Sequence, residues 1–307
     1  MSGRPKTPVY ARAGAGPGTP VKLQHFQGSA GIRLAADVGG DPTRPAVVLL
    51  HGGGQTRHSW NKLARHLVQL GYHAVSLDLR GHGDSDWAPQ GDYSVDAFVA
   101  DLHAVLGQLQ RPPVLIGASL GGITSLLAVG ECERTIARGL VLVDVVPRME
   151  EAGLRRIHAF MRANLDGFDT LDEVAAAVTA YLPQRPRAPN PQVLRKNVRQ
   201  AGNGRFYWHW DPALIHSDRR PDGTRAAQRL RRAARAITLP TMLVRGKLSD
   251  VVSQKGVDDL LALICGARAI EVDGAGHMVA GDQNDPFNDA VEQFLVELGE
   301  PAAARQP

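Results

Sequence analysis

Two kinds of hydrophobic pattern alternate along the chain. Near-continuous apolar runs are typical of strands buried on both faces of a parallel sheet, and apolar residues three or four positions apart indicate helices. The apolar runs lie at 46–50, 74–77, 114–116, 139–146, 239–244 and 269–272. The helix-spaced stretches lie at 60–70, 95–109, 123–129, 258–263 and 288–298. This alternation predicts an α/β fold, with a mostly parallel sheet covered by helices on both faces.

Three segments depart from this alternation. Residues 21–26 and 32–38 alternate apolar and polar positions, which predicts an edge hairpin. Residues 147–235 have mostly helical patterns and no buried-strand run. Residues 1–20 are polar and rich in Gly and Pro. We therefore expect a flexible N-terminal arm over 1–20, a core formed by 21–146 and 236–300, and an inserted helical segment over 147–235.

A sharp turn between a strand and a helix is predicted at Gly117–Gly121, with the sequence GASLG. It fits the pattern G-x-S-x-G, in which a serine stands on a strained turn and its hydroxyl projects from the sheet. Glycines on both sides of Ser119 remove the Cβ atoms that would clash where strand and helix converge. The free N–H groups of the following helix favour developing negative charge. Ser119 is therefore the candidate nucleophile.

A serine nucleophile needs a base, and an imidazole base needs a carboxylate that fixes its tautomer. His277 follows the last predicted strand in a GAGH loop and is the candidate base. Asp250 follows the strand at 239–244 and is the predicted acid, which gives the chain order Ser, Asp, His. Asp144, at the end of the preceding strand, is a rival for this role, and Asp273 is a more distant one.

Five motifs together resemble the α/β-hydrolase family, over about residues 26–298. They are 51–54 (HGGG), 78–85 (DLRGHGDS), the serine turn, 246–250 and 274–277 (GAGH). The resemblance implies the α/β-hydrolase fold with a helical cap inserted at 147–235. It also implies a serine hydrolase that cleaves a carboxylic ester, thioester or lactone through an acyl-enzyme. The oxyanion donors implied are the backbone N–H groups of Leu120 and Gly53, with Gly54 second.

Other activities of this fold stay open at the level of sequence. The chain is also similar to epoxide hydrolases and dehalogenases, but those enzymes use a carboxylate nucleophile where this chain has Ser119. Relatives with the same triad hydrolyse C–C bonds or act as cofactor-free haloperoxidases (perhydrolases), and the residues do not separate these activities from an esterase. A non-catalytic ligand-binding protein is the alternative of another class, and the ordered triad disfavours it.

Aromatic side chains are concentrated in the insertion, at 205–212. Tyr207, Trp208 and Trp210, together with Met278, are predicted to line an apolar substrate pocket above Ser119. The alternative is that the aromatic rings anchor the insertion onto the core, and alternate side chains can do both.

Composition narrows the class of partner. The formal net charge is +4, and the positive residues are densest at 219–235, where a solvated helical face is expected because no nucleic-acid recognition motif is present. No cluster of His, Asp and Cys has metal-ligand spacing, so no cofactor or metal is expected.

No apolar run reaches the length of a membrane span, and the polar beginning of the sequence does not resemble a secretory leader. We expect a cytoplasmic enzyme with a small, partly apolar substrate and neither nucleic acid nor membrane as partner; a homodimer is left open.

Overall fold

The computed structural model describes residues 21–182, 190–216, 223–279 and 285–299. Within these ranges the strands are β1 (Lys22–Gln27), β2 (Arg33–Gly39), β3 (Ala46–Leu50), β4 (His73–Leu77), β5 (Val114–Ala118), β6 (Gly139–Val143), β7 (Val198–Gln200), β8 (Phe206–Trp208), β9 (Thr241–Gly246) and β10 (Arg268–Val272). The α-helices are α1 (Asn61–Gln69), α2 (Val95–Leu106), α3 (Leu120–Gly130), α4 (Glu151–Arg162), α5 (Leu171–Tyr181), α6 (Pro191–Leu194), α7 (Ala213–His216), α8 (Gly223–Ala236), α9 (Gln254–Leu263) and α10 (Asp285–Glu297).

Eight of these strands form one sheet, in the order β1-β2-β4-β3-β5-β6-β9-β10. Six neighbouring strands of this sheet, β4-β3-β5-β6-β9-β10, pair in parallel. The antiparallel hairpin of β1 and β2 adds to β4 in the antiparallel direction. The predicted α/β class and the edge hairpin are therefore confirmed. Because the carboxyl ends of parallel strands meet at one edge, the loops after β3, β5, β6, β9 and β10 meet there.

Both faces of the sheet are covered. Alternate residues of β3 enter different apolar clusters: Val48 and Leu50 join one, and Val47 and Leu49 join the other. The first cluster includes residues of α2, α3, α8 and α9, and the second includes residues of α1 and α10. The apolar runs were continuous because each strand buries both its faces.

The segment between β6 and β9 has an apolar cluster of its own, which extends from Met161 to Ile215. Helix α8 does not belong to it, since Leu230 and Ala233 join the main core and the backbone of Ala233 closely approaches Gly130 of α3. The segment also contains the antiparallel hairpin of β7 and β8, which the helical pattern did not predict. A separate cap domain over 147–235 stays a prediction, and one helix of that range packs with the core.

Some sequence predictions fall outside the described ranges. The arm over 1–20 is one of them, and part of the basic stretch, at 219–222, is another. In the ranges that are described, no helix combines the length and the apolar character needed to cross a membrane.

Candidate active site

Ser119 stands on a sharp turn between β5 and α3. Its backbone has φ 46° and ψ −111°, a conformation that side-chain-bearing residues rarely adopt. The flanking glycines are required by space: a Cβ on Gly117 would lie 2.5 Å from the carbonyl oxygen of Gly121, and one on Gly121 would lie 2.4 Å from that of Leu50. The Ser119 N–H donates to the carbonyl of Val143 at 3.1 Å, which ties the turn to the end of β6.

His277 is paired with a different carboxylate from the one predicted. Its Nδ1–H donates to Asp144 Oδ2 at 2.7 Å. Asp250, the predicted partner, instead accepts a hydrogen bond from Arg156 Nη2 at 2.9 Å. The prediction that Asp250 holds His277 is therefore wrong, because the loop after β9 turns Asp250 toward α4. The side chain of Asp250 is 34% exposed, whereas that of Asp144 is fully buried.

The Asp144 carboxylate is held by more than the imidazole. Its Oδ1 accepts the N–H of Gly246 at 3.1 Å, and its Oδ2 also accepts the hydroxyl of Ser249 at 2.6 Å. The Ser249 oxygen in turn accepts the N–H groups of Val251 and Val252, each at 3.1 Å. With Nδ1–H of His277 committed to this carboxylate, the other ring nitrogen of a neutral His277 is an acceptor.

Neither the backbone N–H of Gly53 nor that of Leu120 has a hydrogen-bond acceptor among the described residues. The Leu120 N–H is in the first turn of α3, where no intrahelical acceptor exists. The second candidate donor, the Gly54 N–H, is engaged, since it donates to His82 Nε2 at 3.2 Å. Both N–H groups predicted as oxyanion donors are therefore available to a ligand, whereas that of Gly54 is not.

Three buried histidines surround the loop that contains Gly53. His51 donates from Nδ1 to the carbonyl of Gly52 at 2.8 Å, and burial lowers the pKa of His51 to about 4. The pKa of His82 is lowered to about 3; burial is the largest cause, and the neighbouring His51 is the second. The pKa of His209 is well below its ordinary value for the same reason, burial first and the adjacent His82 second. All three imidazoles are neutral at pH 7.

Ser119 and His277 line the same cavity, whose volume is about 110 Å³. Its apolar wall comes from the segment between β6 and β9 and consists of Ile157, Phe160, Met161, Val178, Tyr181, Leu182, Trp208 and Trp210. The remaining lining residues are Gly52, Gly53, Gly54, Gln55, Ser59, Ala118, Asn197 and Met278. The wall facing Ser119 is thus largely apolar and aromatic.

Three of the four residues predicted to form a pocket line this cavity: Trp208, Trp210 and Met278. Tyr207 does not, because it lies between Phe206 and Trp208 on β8 and successive side chains of a strand point to opposite faces. Its hydroxyl accepts a hydrogen bond from Asn203 at 3.2 Å. The prediction of Tyr207 as a residue lining this cavity is wrong.

A family model settles the relationship of this chain to other proteins. Residues 47–290 match the alpha/beta hydrolase family. The chain belongs to this family. The protein is therefore a hydrolase, as its motifs predicted.

The hydrolase is similar to enzymes named for ester cleavage. It is 30% identical over 251 residues to the esterase Rv0045c of Mycobacterium tuberculosis, an alignment that covers 78% of each chain. It is 31% identical over 266 residues to the sn-1-specific diacylglycerol lipase ABHD11 of Mus musculus, covering 83% of this chain and 82% of the lipase. A solved structure of the M. tuberculosis esterase has a TM-score of 0.70 at 28% identity, over 90% of this chain and 93% of that one.

Several residues of the hydrolase's site were missed from its sequence. Ile157, Phe160 and Met161 line the cavity from α4, and their spacing of three and four residues is the signal that they share one helix face. Ser249 directly precedes the predicted acid, and nothing in its local pattern marks it as a partner of Asp144. Gln55, whose amide contacts the sulfur of Met278 at 3.1 Å, gave no sequence signal either.

Proposed function

We propose that this hydrolase cleaves carboxylic esters through an acyl-enzyme, with Ser119 as nucleophile, His277 as base and Asp144 as the acid of the triad. The observation that carries the proposal is the 2.7 Å hydrogen bond between His277 Nδ1 and Asp144, at a cavity that Ser119 also lines. The strained backbone of Ser119 supports it, since this conformation is typical of a nucleophile turn. Asp250 has no part in the proposed triad.

The first step is attack of the Ser119 hydroxyl on the ester carbonyl. Because Nδ1 of His277 donates to Asp144, the hydroxyl proton passes to Nε2. The buried carboxylate then stabilises the imidazolium that forms. His277 gives this proton to the departing alkoxide, and the acyl group remains on Ser119. In the second half, His277 takes a proton from water as the water oxygen attacks the acyl carbon. The bond from that carbon to Ser119 Oγ then breaks, and His277 returns the proton to Ser119 Oγ as the carboxylic acid leaves.

Negative charge on the carbonyl oxygen is stabilised by the N–H groups of Gly53 and Leu120. Donors that are already in place before attack need no reorganisation, and a single one contributes about 10²–10³-fold to turnover. The absence of a competing acceptor for either N–H among the described residues supports this role. The N-terminus of α3 adds a favourable dipole at the same position.

The cavity favours a small, partly apolar substrate. Its lining residues include no Asp, Glu, Lys or Arg, and most of the wall is aliphatic or aromatic. An uncharged acyl or alcohol group gains from burial against this wall, whereas an ionised group would be desolvated without a partner. The names of the two relatives, an esterase and a lipase, support an ester as the bond that is cleaved.

The test uses a fluorophosphonate probe and p-nitrophenyl esters of increasing acyl length. We expect the probe to label the unaltered protein, Ser119→Ala to abolish labelling, and turnover in that variant to fall by at least about 10⁴-fold. Ser253→Ala is the matched control, since Ser253 caps α9 through the N–H of Gly256 and does not line the cavity. Equal labelling of Ser119→Ala, or no labelling of the unaltered protein, would contradict the proposal.

A further inference from the structure

The Gly53 N–H belongs to a loop that is held on both sides by imidazoles. The carbonyl of Gly52, in the peptide that contains this N–H, accepts from His51 Nδ1 at 2.8 Å. The next residue, Gly54, donates its N–H to His82 Nε2 at 3.2 Å. The carbonyl of Gly54 accepts from His209 Nε2 at 3.2 Å. Hydrogen bonds to the groups flanking Gly53 therefore fix the direction of its N–H.

His209 differs from the other two histidines because it comes from the segment between β6 and β9, directly after β8. Its Nδ1 accepts the N–H of Gly83 at 2.9 Å, so its two nitrogens join Gly83 to Gly54. It is 2% exposed. The loop at Gly83 is held in place, since the next residue, Asp84, donates its N–H to Asp78 Oδ2 at 2.9 Å. One end of the His209 link is therefore anchored.

Other contacts attach the same segment to the 81–85 loop without reaching Gly54. Arg199 of β7 donates to the carbonyl of Gly83 at 2.5 Å, and the N–H of Asp211 donates to the carbonyl of Gly81 at 2.8 Å. These contacts dock the hairpin of β7 and β8. The contact from His209 to Gly54 goes further and connects the docked hairpin to the loop of the proposed oxyanion donor.

We propose that His209 is a positioning residue that orients the Gly53 N–H. Docking of the hairpin of β7 and β8 is thereby coupled to the orientation of this oxyanion donor. The inference rests on the proposed function. A loop of three consecutive glycines has little stiffness of its own, and Gly54 has φ 72°. An oxyanion donor is effective only when it is held in place before the reaction, and a shift of about 1 Å in a reacting group costs about 10²-fold.

The two amide substitutions of His209 separate its two contacts. Asparagine places its oxygen near the position of Nδ1 and keeps the contact to Gly83, whereas glutamine reaches the position of Nε2 and keeps the donor to Gly54. We expect His209→Asn to lower kcat by about 10–100-fold with KM within about twofold, because the lost contact acts in the transition state. His209→Gln should recover most of this loss.

Two further measurements separate positioning from general support of the structure. Arg199→Ala removes a docking contact on the carbonyl of Gly83 and leaves the contact between His209 and Gly54, so its kcat should fall less than that of His209→Asn. The affinity for a trifluoromethyl ketone, which forms an oxyanion on Ser119, should fall in parallel with kcat. The affinity for the product acid, which forms none, should change little.

Equal losses of kcat in the Asn and Gln variants, or a change in KM alone, would overturn the role of His209 while Ser119-dependent turnover persists. If the unaltered protein has no Ser119-dependent turnover, the proposed function fails, and this inference fails with it. Urea unfolding identifies variants that do not fold. Should the Asn variant be among them, the Gln variant decides: retained kcat and ketone affinity support the role, and loss of both overturns it.

Discussion

Asp144 has a backbone conformation, φ 50°, that favours glycine and is tolerated by aspartate better than by most residues. This turn at the end of β6 brings the carboxylate to His277. The sequence offered several carboxylates that follow strands, and it did not distinguish them because the difference lies in the paths of the loops. Asp250 forms an ion pair with Arg156. Asp273 is exposed and forms an ion pair with Lys247 at 3.0 Å.

At this scale the first prediction concerns the two rival acids. We expect Asp144→Asn to lower kcat for p-nitrophenyl esters by about 10³–10⁴-fold, because an amide cannot stabilise the imidazolium of His277. Asp250→Asn should cost less than about tenfold, since it removes a half-exposed ion pair with Arg156. Asp273→Asn is the control. Similar losses for both of the first two variants, or the reverse ranking, would return Asp250 to the triad.

At the scale of elements, strands with continuous apolar runs were predicted well and their ends less well. The run at 139–146 predicted a longer strand than β6, which ends at Val143 because the positive φ of Asp144 leaves the strand conformation. The hairpin of β7 and β8 was missed. Each of its strands has three residues, too few for an alternating pattern, and their pairing depends on contacts that the local sequence does not contain.

The junction of β5 and α3 gives the second prediction. Gly121→Ala would force a Cβ to 2.4 Å from the carbonyl oxygen of Leu50, inside the sheet. We expect the free energy of unfolding to fall by about 2–4 kcal/mol, measured by urea denaturation. In the control, Gly107→Ala, the new Cβ lies 3.5 Å from the carbonyl oxygen of Ala104, so the change should stay within about 0.5 kcal/mol. Equal stability of the two variants would show that the junction of β5 and α3 accommodates the added Cβ, contrary to this prediction.

At the scale of the whole molecule, the sequence predicted which loops approach one another but not every contact between them. Ser119 follows β5 and His277 follows β10, and parallel strands bring their carboxyl ends to one edge of the sheet, so their shared cavity followed from topology. The wall of that cavity did not, since it depends on how α4, α5 and β8 pack above the sheet. The pairing of His209 with Gly83 and Gly54 also spans long distances in the chain and leaves no local pattern.

The buried imidazoles of His51 and His82 predict that the protein loses stability in acid. The pKa of His51 falls from 6.5 to about 4 in the folded protein, and that of His82 to about 3. Below pH 6.5 the unfolded chain binds protons that the folded protein does not, so the free energy of unfolding decreases as the pH falls. For His51 alone this loss amounts to about 3 kcal/mol by about pH 4.

Urea midpoints measured between about pH 7.5 and about pH 5 test this expectation, since carboxylates contribute little there. His209→Gln removes one of the buried groups that resist protonation. The pH dependence of that variant should therefore be smaller by about one proton. Midpoints that do not change over this interval would mean that the buried imidazoles are protonated as readily as in the unfolded chain.

The two indole rings of Trp208 and Trp210 stack at 4.8 Å with an angle of 12° between their planes, and both border the cavity. The other two tryptophans, Trp60 and Trp87, are not among its lining residues. The stacked pair of Trp208 and Trp210 can therefore serve as an intrinsic spectroscopic probe of the cavity. Fluorescence emission and near-ultraviolet circular dichroism from the stacked pair depend on whether the neighbouring space is filled, so ligand occupancy is measurable without a chromogenic group on the ligand.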